Sequence, residues 1–121
     1  MKYFFLFLLF PFLFQANEKI EWLTPTQHDF GDIIQKEPVE FKFEFKNLTE
    51  EAMLIDNVRT TCGCTTPDWT WDPVEPDSMS FIRVIYDAKK PGFFNKKVKV
   101  FFSNQRKPTV LKIEGYVEKV D

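Results

Sequence analysis

Residues 38–47, "PVEFKFEFKN", alternate without interruption: Val39, Phe41, Phe43 and Phe45 are apolar, and Glu40, Lys42, Glu44 and Lys46 between them are charged. A period of two puts the four apolar side chains on one face and the four charges on the other. That is the pattern of a strand with one face on a core and one in water.

Working outward, similar runs recur at short intervals, each after turn-forming residues. "AMLIDNV" (52–58) follows "NLTEE", "SFIRVIYD" (80–87) follows "DPVEPDS", "FNKKVKVFF" (94–102) follows "AKKPG", and "VLKIEGYV" (110–117) follows "SNQRKP". Upstream, "HDFGDI" is a shorter candidate in which Gly31 marks a turn or bulge. No amphipathic helix intervenes to make parallel crossovers. The expected fold is therefore all-β, an immunoglobulin-like antiparallel β-sandwich of about seven strands, with a small barrel as the structural alternative. "NLT" at Asn47 to Thr49 reads as turn chemistry.

The first sixteen residues, "MKYFFLFLLFPFLFQA", differ from all that follows. Lys2 precedes an apolar run from Tyr3 to Phe14, and Gln15-Ala16 can precede a cleavage site, which predicts a secretory signal peptide over residues 1–16. Phe14 stands where a small residue is preferred, so the runner-up is an uncleaved segment acting as a short membrane anchor. The run is shorter than the ~20 apolar residues of a comfortable membrane span. Removing sixteen residues from 121 leaves 105, enough for one domain, expected over residues 21–120. Lys2 is the only charge lost, so 15 basic and 18 acidic residues give −3, and nothing in that balance suggests a nucleic-acid binder.

The only two cysteines lie in "RTTCGCTTPDWTW" (59–71). An exported chain meets an oxidising compartment, so a Cys62–Cys64 disulfide is the first hypothesis, with Gly63 expected to supply the backbone freedom of the turn. Closing so short a loop stabilises by about 1.6 kcal/mol on the loop-entropy relation, against roughly 4.7 for a 100-residue loop. Thiol exchange is the second hypothesis, although oxidoreductases place C-x-x-C at a helix start and here the spacing is C-x-C on an expected loop. The third is a metal, unknown in identity: two thiolates suit Cu(I), with Met53 and Met79 as candidate thioethers, but a closed zinc site needs four ligands and the chain adds only His28. Pairing with a partner's cysteine is the fourth.

Other candidates have bland alternatives. Trp69 and Trp71, with Trp22 as a possible third member, either form an exposed contact platform or cap the sandwich behind the cysteine loop. His28 is isolated and reads as a strand-start residue. From Arg83 to Lys107, Arg83, Lys89, Lys90, Lys96, Lys97, Lys99, Arg106 and Lys107 face a single acid, Asp87. This is either an anion-binding stripe or edge-protecting lysine. No nucleophile elbow, metalloprotease helix or phosphate loop is present, so no catalytic residues are assigned.

The order "HDFGDI", "FKFEFKN", "LIDNVRTTCGCTTPDW", "DPVEPDS", "VIYDAKKPGFFNKKVKVFFSN", "LKIEGYV" resembles the bacterial domain-of-unknown-function family 1573. That family is similar to immunoglobulin-like domains of the Hydin and major-sperm-protein group. The resemblance implies a secreted or periplasmic domain with no assigned catalytic residues. The expected function is then a non-enzymatic, periplasmic or extracellular domain that binds an envelope or cell-surface protein and no nucleic acid. It would need no cofactor and touch membrane only through an uncleaved signal. Gly63, Thr65, Trp69 and Trp71 are its candidate contact residues. The alternative is a thiol-redox or Cu(I)-binding envelope protein using Cys62 and Cys64.

Overall fold

The computed structural model describes residues 18–121; the expected signal peptide lies outside the described residues. Eight strands follow in order: β1 (Ile20–Trp22), β2 (Gln27–Ile34), β3 (Val39–Asn47), β4 (Ile55–Thr60), β5 (Thr65–Trp69), β6 (Met79–Tyr86), β7 (Gly92–Phe102) and β8 (Thr109–Glu118). They form two four-stranded sheets, sheet I in the order β1-β3-β6-β5 and sheet II in the order β2-β8-β7-β4. Among the described residues there is no helix, and the immunoglobulin-like sandwich read from the sequence is the observed fold.

The alternation in β3 does what its period requires. Phe43 and Phe45 are fully buried while Glu40, Lys42 and Glu44 face water. Phe43 and Phe45 meet Ile82 and Val84 of β6 on one side of the core, and Val98, Val100, Leu111 and Ile113 of sheet II complete it. Burying such side chains contributes about 1.5–3 kcal/mol each, which is what holds a domain of this size together. The inward face of β3 ends on Asn47, also fully buried. Its Nδ2 donates to the carbonyls of Glu51 and Val74, both at 2.9 Å, and its Oδ1 accepts from Thr49 N at 2.9 Å and Thr49 Oγ1 at 2.7 Å. The turn chemistry expected at "NLT" is thus an amide locked inside the protein.

Two features depart from a simple antiparallel sandwich of seven strands. First, β2 runs parallel to β8, because the chain changes sheet after β1 and enters sheet II at its edge with no hairpin to impose reversal. Its register shifts between Asp29 and Asp32, where Gly31 at φ 71° makes a bulge whose N–H bonds Asp29 Oδ1 at 2.8 Å. The bulge exchanges the inward face from His28 and Phe30 to Ile33. Second, "TTPDW", expected as loop, is the edge strand β5. Pro67 masks it in the sequence but is tolerated at an edge.

Candidate functional site

β4 is an edge of sheet II and β5 an edge of sheet I, so residues 61–64 carry the chain across one open side of the sandwich. The C-G-C motif is this crossing. Cys62 and Cys64 are joined by a disulfide with their Cα atoms 5.1 Å apart. Thr60 Oγ1 donates to Cys62 O at 3.1 Å and reaches Thr65 O at 3.3 Å, Thr65 N donates to Cys62 O at 3.2 Å, and Asp87 N donates to Cys64 O at 2.9 Å. Thr65 is buried, its hydroxyl 3.5 Å from the Cys64 sulfur. Nearby, burial first and Asp87 second raise the pKa of the Tyr86 phenol.

Gly63 corrects the sequence expectation. Its φ lies outside the left-handed region, and a Cβ built on it would have nothing within 4 Å. The crossing closes on ordinary backbone angles, so the fold does not require glycine there. What Gly63 provides is bare, exposed backbone at the tip of a rigid turn.

The same hydrogen bonds close the Thr65 end of the β5 edge. Thr65 N–H turns away from β6 to Cys62, so by alternation the Pro67 nitrogen, which carries no hydrogen, also faces the free side. Thr65 O already accepts from Thr60, so on this edge the Pro67 carbonyl and the Trp69 backbone are what remain for another strand.

The tryptophans do not back the disulfide. Trp69 pairs with Ile82 while Thr65 pairs with Tyr86, so Trp69 lies at the other end of β5, roughly 13 Å from the cysteine turn at strand rise. Its ring packs against the core with Nε1 buried and unbonded, and Trp71, 5.0 Å away, is 71 % exposed. Trp22 joins neither, since it packs on Phe45 and Phe102 beneath the opposite edge strand.

His28 stacks on Phe41 at 3.8 Å, on the edge of sheet II opposite β4, about three strand spacings or ~14 Å from the cysteine side. Met53 is buried beyond the far end of β4, and Met79 starts β6, seven residues before Tyr86. A thioether–thiolate set for Cu(I) is therefore not assembled, and both sulfurs are engaged with each other. Among the described residues no group of three or more His, Cys, Asp or Glu side chains is placed to hold a metal.

The basic stripe dissolves in three dimensions. Arg83 lies on the outer face of sheet I, 2.7 Å from Asp68 and 3.9 Å from Glu40; Lys97 and Lys99 lie on the outer face of sheet II; Lys89, Lys90, Arg106 and Lys107 are on loops. On sheet I the Asp77 hydrogen bond, then its charge, raises the pKa of Lys46.

The outer face of sheet II was not foreseen as a unit, although alternation within "FFNKKVKVFF" contains half of it. Its register stacks outward side chains in levels. Asp32, Tyr116 and Phe93 form one level, and Asp29, Glu114 and Asn95 the next. Gln27, Lys112 and Lys97 follow, then Val110, Lys99 and Arg59. A cleft of about 400 Å³ opens over the bulge at the acidic end, where Phe93, 89 % exposed, meets Tyr116 edge-on at 5.0 Å. Finally, β7 overshoots its neighbour: β4 pairing stops at Thr60 opposite Val98, so Gly92 to Lys97 pair with β8 alone.

Two stacked sheets with a parallel edge strand and a chain-crossing turn define an immunoglobulin-like β-sandwich. The PapD-like domain 7 of human CEP192 is similar at TM-score 0.72 with 10 % identity, over 94 % of this chain and 95 % of that one. The Caenorhabditis elegans MSP family member WR4 is similar at 0.56 with 7 % identity, over 84 % and 99 %. A protein of unknown function from Porphyromonas gingivalis W83 is similar at 0.68 with 16 % identity, over 93 % of this chain and 54 % of that one, so the chain spans about half its length. At these identities the likeness shows the fold. Residues 20–117 match the protein family of unknown function DUF1573, and the chain belongs to that family. No curated protein matches it.

Proposed function

We propose that this immunoglobulin-like domain is a non-enzymatic binding module of the bacterial envelope, and that it takes a strand of a protein partner along β7 between Gly92 and Lys97. One observation carries the proposal: β7 extends six residues past the end of its β4 pairing, leaving half a sheet edge without a strand partner among the described strands. An unpaired strand segment offers backbone donors and acceptors to an incoming strand, the basis of β-augmentation. The disulfide turn supports this by fixing where β4 stops, and at the β5 edge Thr65 is already taken and Pro67 has no N–H to offer. Export rests on "MKYFFLFLLFPFLFQA" and on an oxidising compartment for the cysteine pair.

The test is a photo-crosslinking residue placed at Asn95, or at Glu44 on sheet I, in the native envelope. Capture of one discrete protein from position 95 and not from 44, with slowed amide exchange over residues 92–97, is the expected result. Equal capture from both positions, or none, rejects the proposal; an adduct of twice the chain's mass is self-association and does not count. Thiol exchange or Cu(I) capture by Cys62 and Cys64 is the competing function and needs the reduced pair. Under β7 pairing Cys62→Ser keeps most of the capture, whereas a thiol-based function loses all of it.

A further inference from the structure

The charges on the outer face of sheet II are segregated in a way that stability alone does not favour. Asp29 stands directly opposite Glu114, Lys97 opposite Lys112, and Lys99 opposite Arg59. Like charges in directly opposed positions destabilise a sheet, and where sheet I has such a position, Lys42 opposite Arg83, the carboxylates of Asp68 and Glu40 offset it. Among the described residues the ion pairs are Lys46–Asp77, Arg83–Glu40 and Arg83–Asp68, all on the sheet I side, and none on this face. Glu114 has only a long 3.4 Å contact from Gln27. The face is thus acidic and aromatic at one end, basic at the other, with exposed Phe93 in the acidic part.

A partner of one sign meets a repelling half wherever it lies. A polyanion attracted to Lys97 and Lys112 approaches Asp29 and Glu114, and a cationic segment has the reverse difficulty. A second copy of the same face has neither. We infer that two copies of this chain associate through the outer faces of sheet II, about a two-fold axis lying between the sheets and perpendicular to the strands. An axis parallel to the strands would set acidic level on acidic level. The perpendicular one reverses the order of levels, bringing Glu114 over Lys112 and Phe93 over Lys99, an ion pair and a cation–π contact, each made twice by symmetry.

Magnitude sets the character of the dimer. Four strands ~4.8 Å apart and four levels ~7 Å apart give roughly 400 Å² per copy, below the ~800 Å² per partner of a standard stable interface. Association is therefore weak, concentration-dependent and salt-sensitive. It rests on the face of sheet II and not on the β7 edge, so it stands or falls independently of strand addition.

Sedimentation of the purified, oxidised chain from its native compartment tests this, from about 10 to about 300 µM at about 50 mM salt. The average mass is expected to rise toward the dimer over this range and fall back at about 500 mM salt. Glu114→Lys and Lys112→Glu each weaken self-association about tenfold or more, with circular dichroism confirming that each remains folded. Mixing the two variants restores association, because each reversed charge then faces the other. The inference is overturned if the chain stays monomeric throughout or if neither reversal weakens association. Failure of the mixture to recover overturns it as well, as does binding of polyglutamate or polylysine by a chain that does not self-associate.

Discussion

On the outer face of sheet I, Arg83 lies 2.7 Å from Asp68 and 3.9 Å from Glu40, Lys46 lies 3.0 Å from Asp77, and Lys42 stands 4.7 Å above the Phe81 ring. On the outer face of sheet II, three cross-strand positions oppose like charges, and Phe93 stands almost wholly in water. Both faces are exposed sides of strands with the same alternation. Sheet I also sets Lys42 opposite Arg83, but there the carboxylates of Asp68 and Glu40 offset the guanidinium. On sheet II Arg59 lies 5.7 Å over the Phe101 ring, and among the described residues none of the opposed like charges has an ion-pair partner. A charged sheet face is therefore not featureless solvent coating, because the register decides whether its charges cancel at home.

The largest expected effect comes from removing an internally satisfied group on the sheet I side. Asn47→Ala takes the acceptor from the Thr49 N–H and one of the two donors from each of Val74 O and Glu51 O, and should cost about 3 kcal/mol in urea unfolding. A loss under about 1 kcal/mol would mean that water replaces the amide and that sheet I is less self-contained than its geometry implies.

Next is Gly115 of sheet II, where an added Cβ would lie 2.8 Å from the Phe94 ring and 3.0 Å from Gly31 O. The ring is held by its stack on Tyr86 at 4.0 Å and cannot easily yield. Gly115→Ala should cost about 1–3 kcal/mol by overpacking and displace the bulge beneath the acidic levels. A neutral result would show that Phe94 moves freely and that the face has no rigid floor.

The smallest effects carry opposite signs and sharpen the contrast most directly. Asp68→Ala should lose no more than about 1 kcal/mol, since the pair with Arg83 is partly exposed. Lys97→Glu, measured below the concentration of self-association, should gain a few tenths of a kcal/mol by relieving its opposition to Lys112. Both differences should shrink at about 1 M salt. If Lys97→Glu destabilises like Asp68→Ala, the like-charge arrangement on sheet II carries no cost and the contrast between the faces fails.

Much of the fold was legible because strand alternation is local: Val39 to Lys46 declare their faces without reference to any other segment. β5 was not legible, because Pro67 argues against a strand unless the chain is known to lie at an edge. At the cysteines, the oxidising compartment expected from the first sixteen residues made a closed pair the first hypothesis, and Gly63 invited a backbone explanation that its φ, outside the left-handed region, does not need. Trp69 looked adjacent to the disulfide only because it follows Cys64 by five positions, and the four strand steps from Thr65 to Trp69 already span roughly 13 Å.

The sequence by itself determined which side chains of each strand face inward, since a period of two is a property of consecutive residues. It also determined that two cysteines one residue apart sit where the chain leaves a strand. Only the tertiary structure decided which charges stand beside one another. Arg83 and Lys97 read alike as members of one basic stripe and each stands opposite a lysine, yet Asp68 and Glu40 flank Arg83 and, among the described residues, no carboxylate pairs with Lys97. That difference comes from cross-strand register between segments far apart in the chain, which depends on how both sheets close over the shared core.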